Sequence, residues 1–156
     1  MRVTHVEYEA DGWGIGRFWL DRGRLLQHEL PARGSLAAPS HRVGSDLAER
    51  FRAYFGGARD DFLDVEVDEE WATPFGRALL EALRSIPYGE TVTYGELAAL
   101  AGRPGAARAA GTFCAGNRFG LVVPCHRVVG AGGLGGYGSL GPEYKRRLLR
   151  LEGVRV

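Results

Sequence analysis

Thr93-Tyr94-Gly95-Glu96-Leu97-Ala98-Ala99-Leu100-Ala101-Gly102-Arg103-Pro104-Gly105-Ala106-Ala107-Arg108-Ala109-Ala110-Gly111-Thr112-Phe113-Cys114 holds two short helical patterns either side of a Gly/Pro turn. Thr93 followed three residues later by Glu96 is a capping box, which opens the first helix through Leu97 and Leu100. Gly102 closes that helix, Arg103-Pro104-Gly105 makes the turn, and the second helix runs from Ala106 to Gly116-Asn117. Two such helices make a helix-turn-helix. The second one is thin, with almost only small side chains. Small residues suit either the close approach of a helix to a nucleic-acid groove or the close packing of two helices.

Upstream, Thr73-Pro74 reads as an N-cap with proline at the first helical position, and Phe75, Leu79, Leu83 and Ile86 continue one stripe until Pro87-Tyr88-Gly89. The first third alternates in the β manner over residues 3–8, 14–20 and 24–30, with turn residues between. A loop over 31–44 leads to Ser45-Asp46, which caps a short helix bearing Leu47, Phe51 and Phe55. A further strand is expected over Phe62–Val67. Downstream, Leu121–Val129 is a buried, strand-like run around four residues of another kind, Pro124-Cys125-His126-Arg127. A glycine-dense segment with Tyr137 and Ser139 precedes a last helix, Pro142–Leu151. Its expected inward face is Tyr144, Leu148 and Leu151, with Lys145, Arg146, Arg147 and Arg150 outward. The fold class is mixed α/β (α+β). A small sheet-plus-helix lobe over 1–70, structural in role, precedes a mainly helical lobe over 71–156 that holds the helix-turn-helix and the buried cysteine segment.

Composition narrows the function classes. The chain has 156 residues, 45% hydrophobic and 25% charged. No stretch approaches the roughly 20 apolar residues of a membrane helix, and the N-terminus lacks a signal-peptide core. A monomeric, soluble cytoplasmic protein is expected. Residues 1–76 carry 9 Arg and 14 acidic residues, whereas 77–156 carry 11 Lys plus Arg and 5 acids. A polyanion facing the second half fits that split. Cys114 and Cys125 are too few for a disulfide framework, and no metal-ligand spacing accompanies them. His5, His28 and His41 have no clustered partners and read as surface residues. Cys114 reads as a small buried apolar side chain.

A cysteine attacks as its thiolate, so a reactive one needs a base or a positive neighbour. In an extended segment His126 and Cys125 point opposite ways, so the histidine would reach the thiol indirectly, through a water. A carboxylate behind the histidine would orient it, and Glu152 is one of several candidates. An isolated Cys-His pair is ordinarily a buried thiol beside a surface histidine; here the surroundings matter.

Ile86 through Ala98, Ala106-Ala107-Arg108-Ala109, Asn117, Val123 through Val128, Gly135-Gly136-Tyr137, Lys145 and Leu148 through Gly153 follow in order and near-spacing those of the O6-alkylguanine-DNA alkyltransferases. The chain resembles that family from about Thr73 to Gly153, and more weakly at Tyr54-Phe55-Gly56-Gly57. The resemblance implies stoichiometric, irreversible transfer of an alkyl group from O6-alkylguanine, or O4-alkylthymine, to the protein, with the damaged base flipped out from the minor-groove side. It implies no cofactor and no metal, and alkylated double-stranded or single-stranded DNA as partner.

By the same resemblance Cys125 is the acceptor, His126 its base, Glu152 the carboxylate behind the base, and Asn117 the brace of the turn before the active-site segment. Tyr94, Arg108, Ala109 and Arg127 would meet DNA, Arg108 filling the vacated place in the duplex. Tyr94, Tyr137, Val128 and Ser139 would line the substrate pocket. Three departures stand out: Asn117-Arg118 where the family has Asn-Pro, Phe75-Gly76 where it has Phe-Gln, and a loop after Tyr137 one residue longer. A non-catalytic lesion-binding relative would lack Cys125. A cysteine hydrolase would leave the helix-turn-helix, Tyr94 and Arg108 unexplained.

Overall fold

A computed structural model of the chain describes residues 3–34 and 45–156. Residues 35–44 of the expected loop, and His41 with them, lie outside the described residues. Alternation in the first third builds β1 (Val3–Ala10), β2 (Gly14–Asp21) and β3 (Arg24–Ala32), an antiparallel sheet in that order. The Ser45 hydroxyl accepts the Ala48 N–H and caps α1 (Asp46–Phe55). Within this unit Phe51 packs among the rings of Tyr8, Phe18 and Phe62.

Two expectations fail here. His28 is buried, stacked on Phe51 at 4.0 Å between centroids and hydrogen-bonded to the Tyr8 hydroxyl at 2.5 Å. The cause is an irregularity in the ladder: Trp19 pairs with Gln27 but Leu20 with Leu25, so the extra residue reverses which face β3 presents. Residues 62–67 form no strand, only one bridge from Val67 to Leu25. The Asp60 and Asp61 carboxylates accept the N–H groups of Phe62 and Leu63, local turns that compete with a ladder. Arg50 then ties Asp60 and Asp64 together.

The chain packs as two compact units divided between Asp68 and Glu69. In the second, Thr73 accepts the Gly76 N–H and starts α2 (Pro74–Arg84). The expected capping box is present: Thr93 and Glu96 exchange hydrogen bonds at 3.1 and 2.9 Å at the start of α3 (Tyr94–Leu100). A turn closed by Ala106 N–H to Arg103 C=O leads into α4 (Ala107–Ala115). Ala110 faces inward, and Arg108, Ala109 and Thr112 are exposed. A parallel pair that the sequence does not announce, β4 (Val92–Thr93) with β5 (Val128–Val129), fixes the segment after the cysteine to the start of α3. The last helix is α5 (Pro142–Leu151). No helix among the described residues is long and apolar enough to cross a membrane.

Candidate active site

The loop from α4 to Cys125 is built around Asn117. Its amide donates to the Val123 carbonyl at 2.8 Å and its side-chain oxygen accepts the Phe119 N–H at 2.9 Å, so both ends of the loop hang on one side chain. At Pro124, with φ −82° and ψ 64°, the Cys125 N–H reaches back to the Val123 carbonyl at 2.8 Å. That is an inverse γ-turn. A 3-10 turn over Cys125–Arg127 follows at once. The expected extended run is therefore sharply bent, because proline fixes φ and provides no N–H for a ladder.

Behind the cysteine lies a buried charged cluster. His126 Nε2 is 2.7 Å from Glu152 Oε2. Arg127 donates from Nε to Glu152 Oε1 at 2.9 Å, from Nη2 to Oε2 at 3.0 Å, and from Nη1 to the Ile86 carbonyl at 2.8 Å. The Gly89 N–H adds a bond to Glu152 Oε1 at 3.1 Å. Gly89 has φ +80°, and a Cβ there would stand 3.1 Å from the Glu152 carbonyl oxygen, so the turn after α2 needs glycine to bring its N–H in. Burial favours the neutral Glu152 acid, but the bonds and charges of His126 and Arg127 outweigh it and hold the carboxyl far below the usual range. Burial in turn lowers His126, against the pull of Glu152, which favours a neutral imidazole.

Cys125, 2% exposed, lies at a pocket of about 130 Å³. Tyr94, Gly111, Cys114, Ala115, Gly136, Tyr137 and Gly138 complete its lining. Lys145 is fully buried against it, its Nζ 3.1 Å from the Gly136 carbonyl and 3.3 Å from the Tyr94 hydroxyl. Burial drives the Cys125 thiol well up, and its hydrogen bond to Cys114 adds to this; Lys145 and Asn117 work the other way. Cys114 is lowered, first by that same hydrogen bond and also by Lys145.

The structure brings Cys125, His126, Glu152 and Asn117 together, and sets Tyr94 and Tyr137 at the pocket. Arg108 and Ala109 are exposed on α4, outside the pocket lining. Five expectations need correction. Arg127 does not face DNA: it is buried and its guanidinium is spent on Glu152 and Ile86. Val128 is buried in β5, and neither it nor the exposed Ser139 lines the pocket; Gly136 and Gly138 do. Lys145 points inward, because its amine finds a carbonyl and a hydroxyl beneath the helix. Cys114 is half-buried and lines the pocket rather than lying buried in the core. Its position three residues before Asn117 was the available signal for the last of these.

Residues 74–154 match the family model described as 6-O-methylguanine DNA methyltransferase, DNA binding domain. The chain belongs to that family. A methylated-DNA–protein-cysteine methyltransferase of Mycobacterium bovis is 43% identical over 134 residues, 85% of this chain and 79% of that protein. Among solved structures, Mycobacterium tuberculosis OGT in complex with DNA is similar with a TM-score of 0.80 and 36% identity, over 95% of this chain and 91% of its own. An O6-methylguanine-DNA methyltransferase from Pyrococcus kodakaraensis strain KOD1 gives 0.72 and 28%, over 98% and 100%.

Two departures from the methyltransferase pattern have a physical account. Arg118, in place of proline, lays its guanidinium over the Trp71 ring at 4.7 Å, and Trp71 stacks on Phe113. Gly76, in place of glutamine, is buried, and a Cβ there would come within 3.3 Å of the Phe113 ring. In the loop after Tyr137, which is one residue longer, Gly138 rather than Ser139 lines the pocket.

Proposed function

We propose that this chain is a DNA-repair methyltransferase that moves one alkyl group from the O6 of guanine onto Cys125, once per molecule and irreversibly. The observation that carries the reading is a buried thiol at a pocket edged by α4, immediately followed by a histidine whose far nitrogen meets a carboxylate at 2.7 Å. Glu152 stays ionised, so it accepts the Nε2 proton of His126 and leaves Nδ1 as the basic nitrogen. His126 takes the Cys125 proton, directly or through a water. The thiolate then attacks the alkyl carbon as the carbon–oxygen bond breaks. The guanine oxygen keeps that electron pair, and the base is restored on regaining a proton; the Tyr94 hydroxyl, held by Lys145, is the donor placed at the pocket. Neither cofactor nor metal enters such a step.

An O6 adduct inside a stacked duplex is out of reach, and flipping the nucleotide costs about a few kcal/mol. Arg108, exposed on α4, would occupy the gap from the minor-groove side, and Ala109 with Gly111 lets the helix approach closely. Without neighbours to unstack, single strands would serve too, and O4-alkylthymine presents similar chemistry. The protein would act as a monomer in the cytoplasm. The first unit supports the fold, while the second binds DNA and accepts the alkyl group.

The test is intact mass after exposure to an oligonucleotide containing O6-methylguanine. A gain of one methyl group, mapped to Cys125, is expected. Cys125→Ser should bind DNA yet accept nothing, since a hydroxyl is a far poorer nucleophile near neutral pH. Repeated turnover on excess substrate, or a label on Cys114, would defeat the reading.

A further inference from the structure

We propose that Cys114 and Cys125 form a reversible disulfide across the pocket when a hydroperoxide is present, so that Cys114 serves as a partner thiol that holds the acceptor in a protected state. The proposal rests on reading Cys125 as the alkyl acceptor. Both cysteines line one pocket, and each thiol shifts the other's acidity. A disulfide there requires the two sulfurs, one at the end of α4 and one at the start of the 3-10 turn, to reach the ~2.05 Å bond. Gly111, Gly136 and Gly138 share the lining and add no side chain to it.

The two thiols differ in the manner such a pair requires. Cys114 is half-buried where Cys125 is buried, so it is the thiol that a small oxidant meets. Its thiolate attacks one oxygen of the hydroperoxide. The oxygen–oxygen bond breaks, sulfur is oxidised to a sulfenic acid, and the other oxygen leaves as hydroxide or alkoxide and takes a proton. Cys125, deprotonated by His126, then displaces hydroxide from the Cys114 sulfur. The sulfur–sulfur bond forms, the sulfur–oxygen bond breaks, and hydroxide takes up the proton that His126 holds. With hydrogen peroxide, two thiols are converted to one disulfide and two waters. Without a partner, a sulfenic acid on Cys125 could proceed to the sulfinic acid, which is irreversible. Inside a reducing compartment the disulfide would be reopened by exchange with a small thiol.

The experiment treats the whole chain with hydrogen peroxide, caps remaining thiols with iodoacetamide, and maps the protein under non-reducing conditions. The expected result is a Cys114–Cys125 linked peptide, loss of both titratable thiols, and loss of alkyl acceptance that dithiothreitol restores. Cys114→Ser should yield no linked peptide, and activity it loses on prolonged peroxide exposure should not return with dithiothreitol. Capping of both wild-type thiols after peroxide, or an equally recoverable loss in Cys114→Ser, would overturn the disulfide. Alkyl labelling of the reduced protein is a separate readout. A linked peptide in a protein whose Cys125 accepts no alkyl group sinks the acceptor reading and leaves the disulfide; labelled Cys125 without the link does the reverse.

Discussion

Glu152→Gln replaces a carboxylate that serves four donors at once: His126 Nε2, two nitrogens of Arg127 and the Gly89 N–H. The amide has one oxygen and one NH2 group. If the oxygen accepts from His126, the NH2 is set against an Arg127 donor, and the reverse orientation confronts the histidine. Arg127 would also remain a buried cation with its counter-charge removed. Breaking a buried ion pair in this way costs about 3–5 kcal/mol. In a chain of this size the melting temperature should fall by roughly 6–20 °C. Scanning calorimetry measures this loss of stability, and single-turnover transfer from a methylated duplex measures the accompanying loss of rate. Adding Arg127→Met to Glu152→Gln removes the stranded cation, and stability should largely return. Transfer should stay below wild type, because the amide does not stabilise a histidine cation as a carboxylate does. A single variant that melts within about 2 °C of wild type, below the shift of even 1 kcal/mol, would refute the idea that this carboxylate anchors the site. The difference also has a pH signature. Glu152 is depressed in the fold, so its contribution is complete above the ordinary carboxylate range near ~4.3 and is lost as pH falls below it. The melting difference should therefore be flat from neutral pH down to that range and narrow only in stronger acid.

Arg108→Ala should slow repair of duplex DNA by roughly tenfold, if the plug offsets about 1.4 kcal/mol of the flipping cost, and should spare transfer from free O6-benzylguanine. Equal losses on both substrates would point to a damaged helix instead. Affinity for undamaged duplex should fall steeply with added salt and show little sequence preference, as expected for contacts to phosphates; a flat response in a salt titration would contradict it. The transfer rate should rise with pH as the thiol, held up by burial, gives up its proton more readily. It should fall off in acid only below the ordinary histidine value of 6.5, where neutral His126 becomes protonated. A rate that shows no fall in acid below that value would remove His126 as the base.

Local signals in the sequence carried much of the architecture. Ser45, Thr73 and the Thr93–Glu96 box each cap the helix they announce, because a cap depends on neighbours within three residues. Site residues whose identity depends on contacts across many positions were less visible. Arg127 looks like a surface cation until Glu152, 25 residues later, and Ile86, 41 residues earlier, close around it. Lys145 looks outward on a helical wheel, since nothing local reveals the Gly136 carbonyl or Tyr94. His28 is misplaced by one extra residue in a ladder, an error no alternation pattern can show. Cys114 and Cys125 are close in sequence, yet only the bends at Asn117 and Pro124 bring both to one pocket.

Glu152 is also the residue that terminates α5. A carboxylate at the negative end of a helix is opposed by the helix dipole, by about 0.3–1 kcal/mol, and the neighbouring cation and imidazole more than offset it. Such a location makes the geometry of the thiol's base depend on the last turn of a helix, the part that frays most readily. Hydrogen exchange at Leu151 and Glu152 would thus report how often the base loses its orientation, even though the pocket itself stays intact. Substitutions along α5 that never touch the substrate could then tune how fast the protein is consumed.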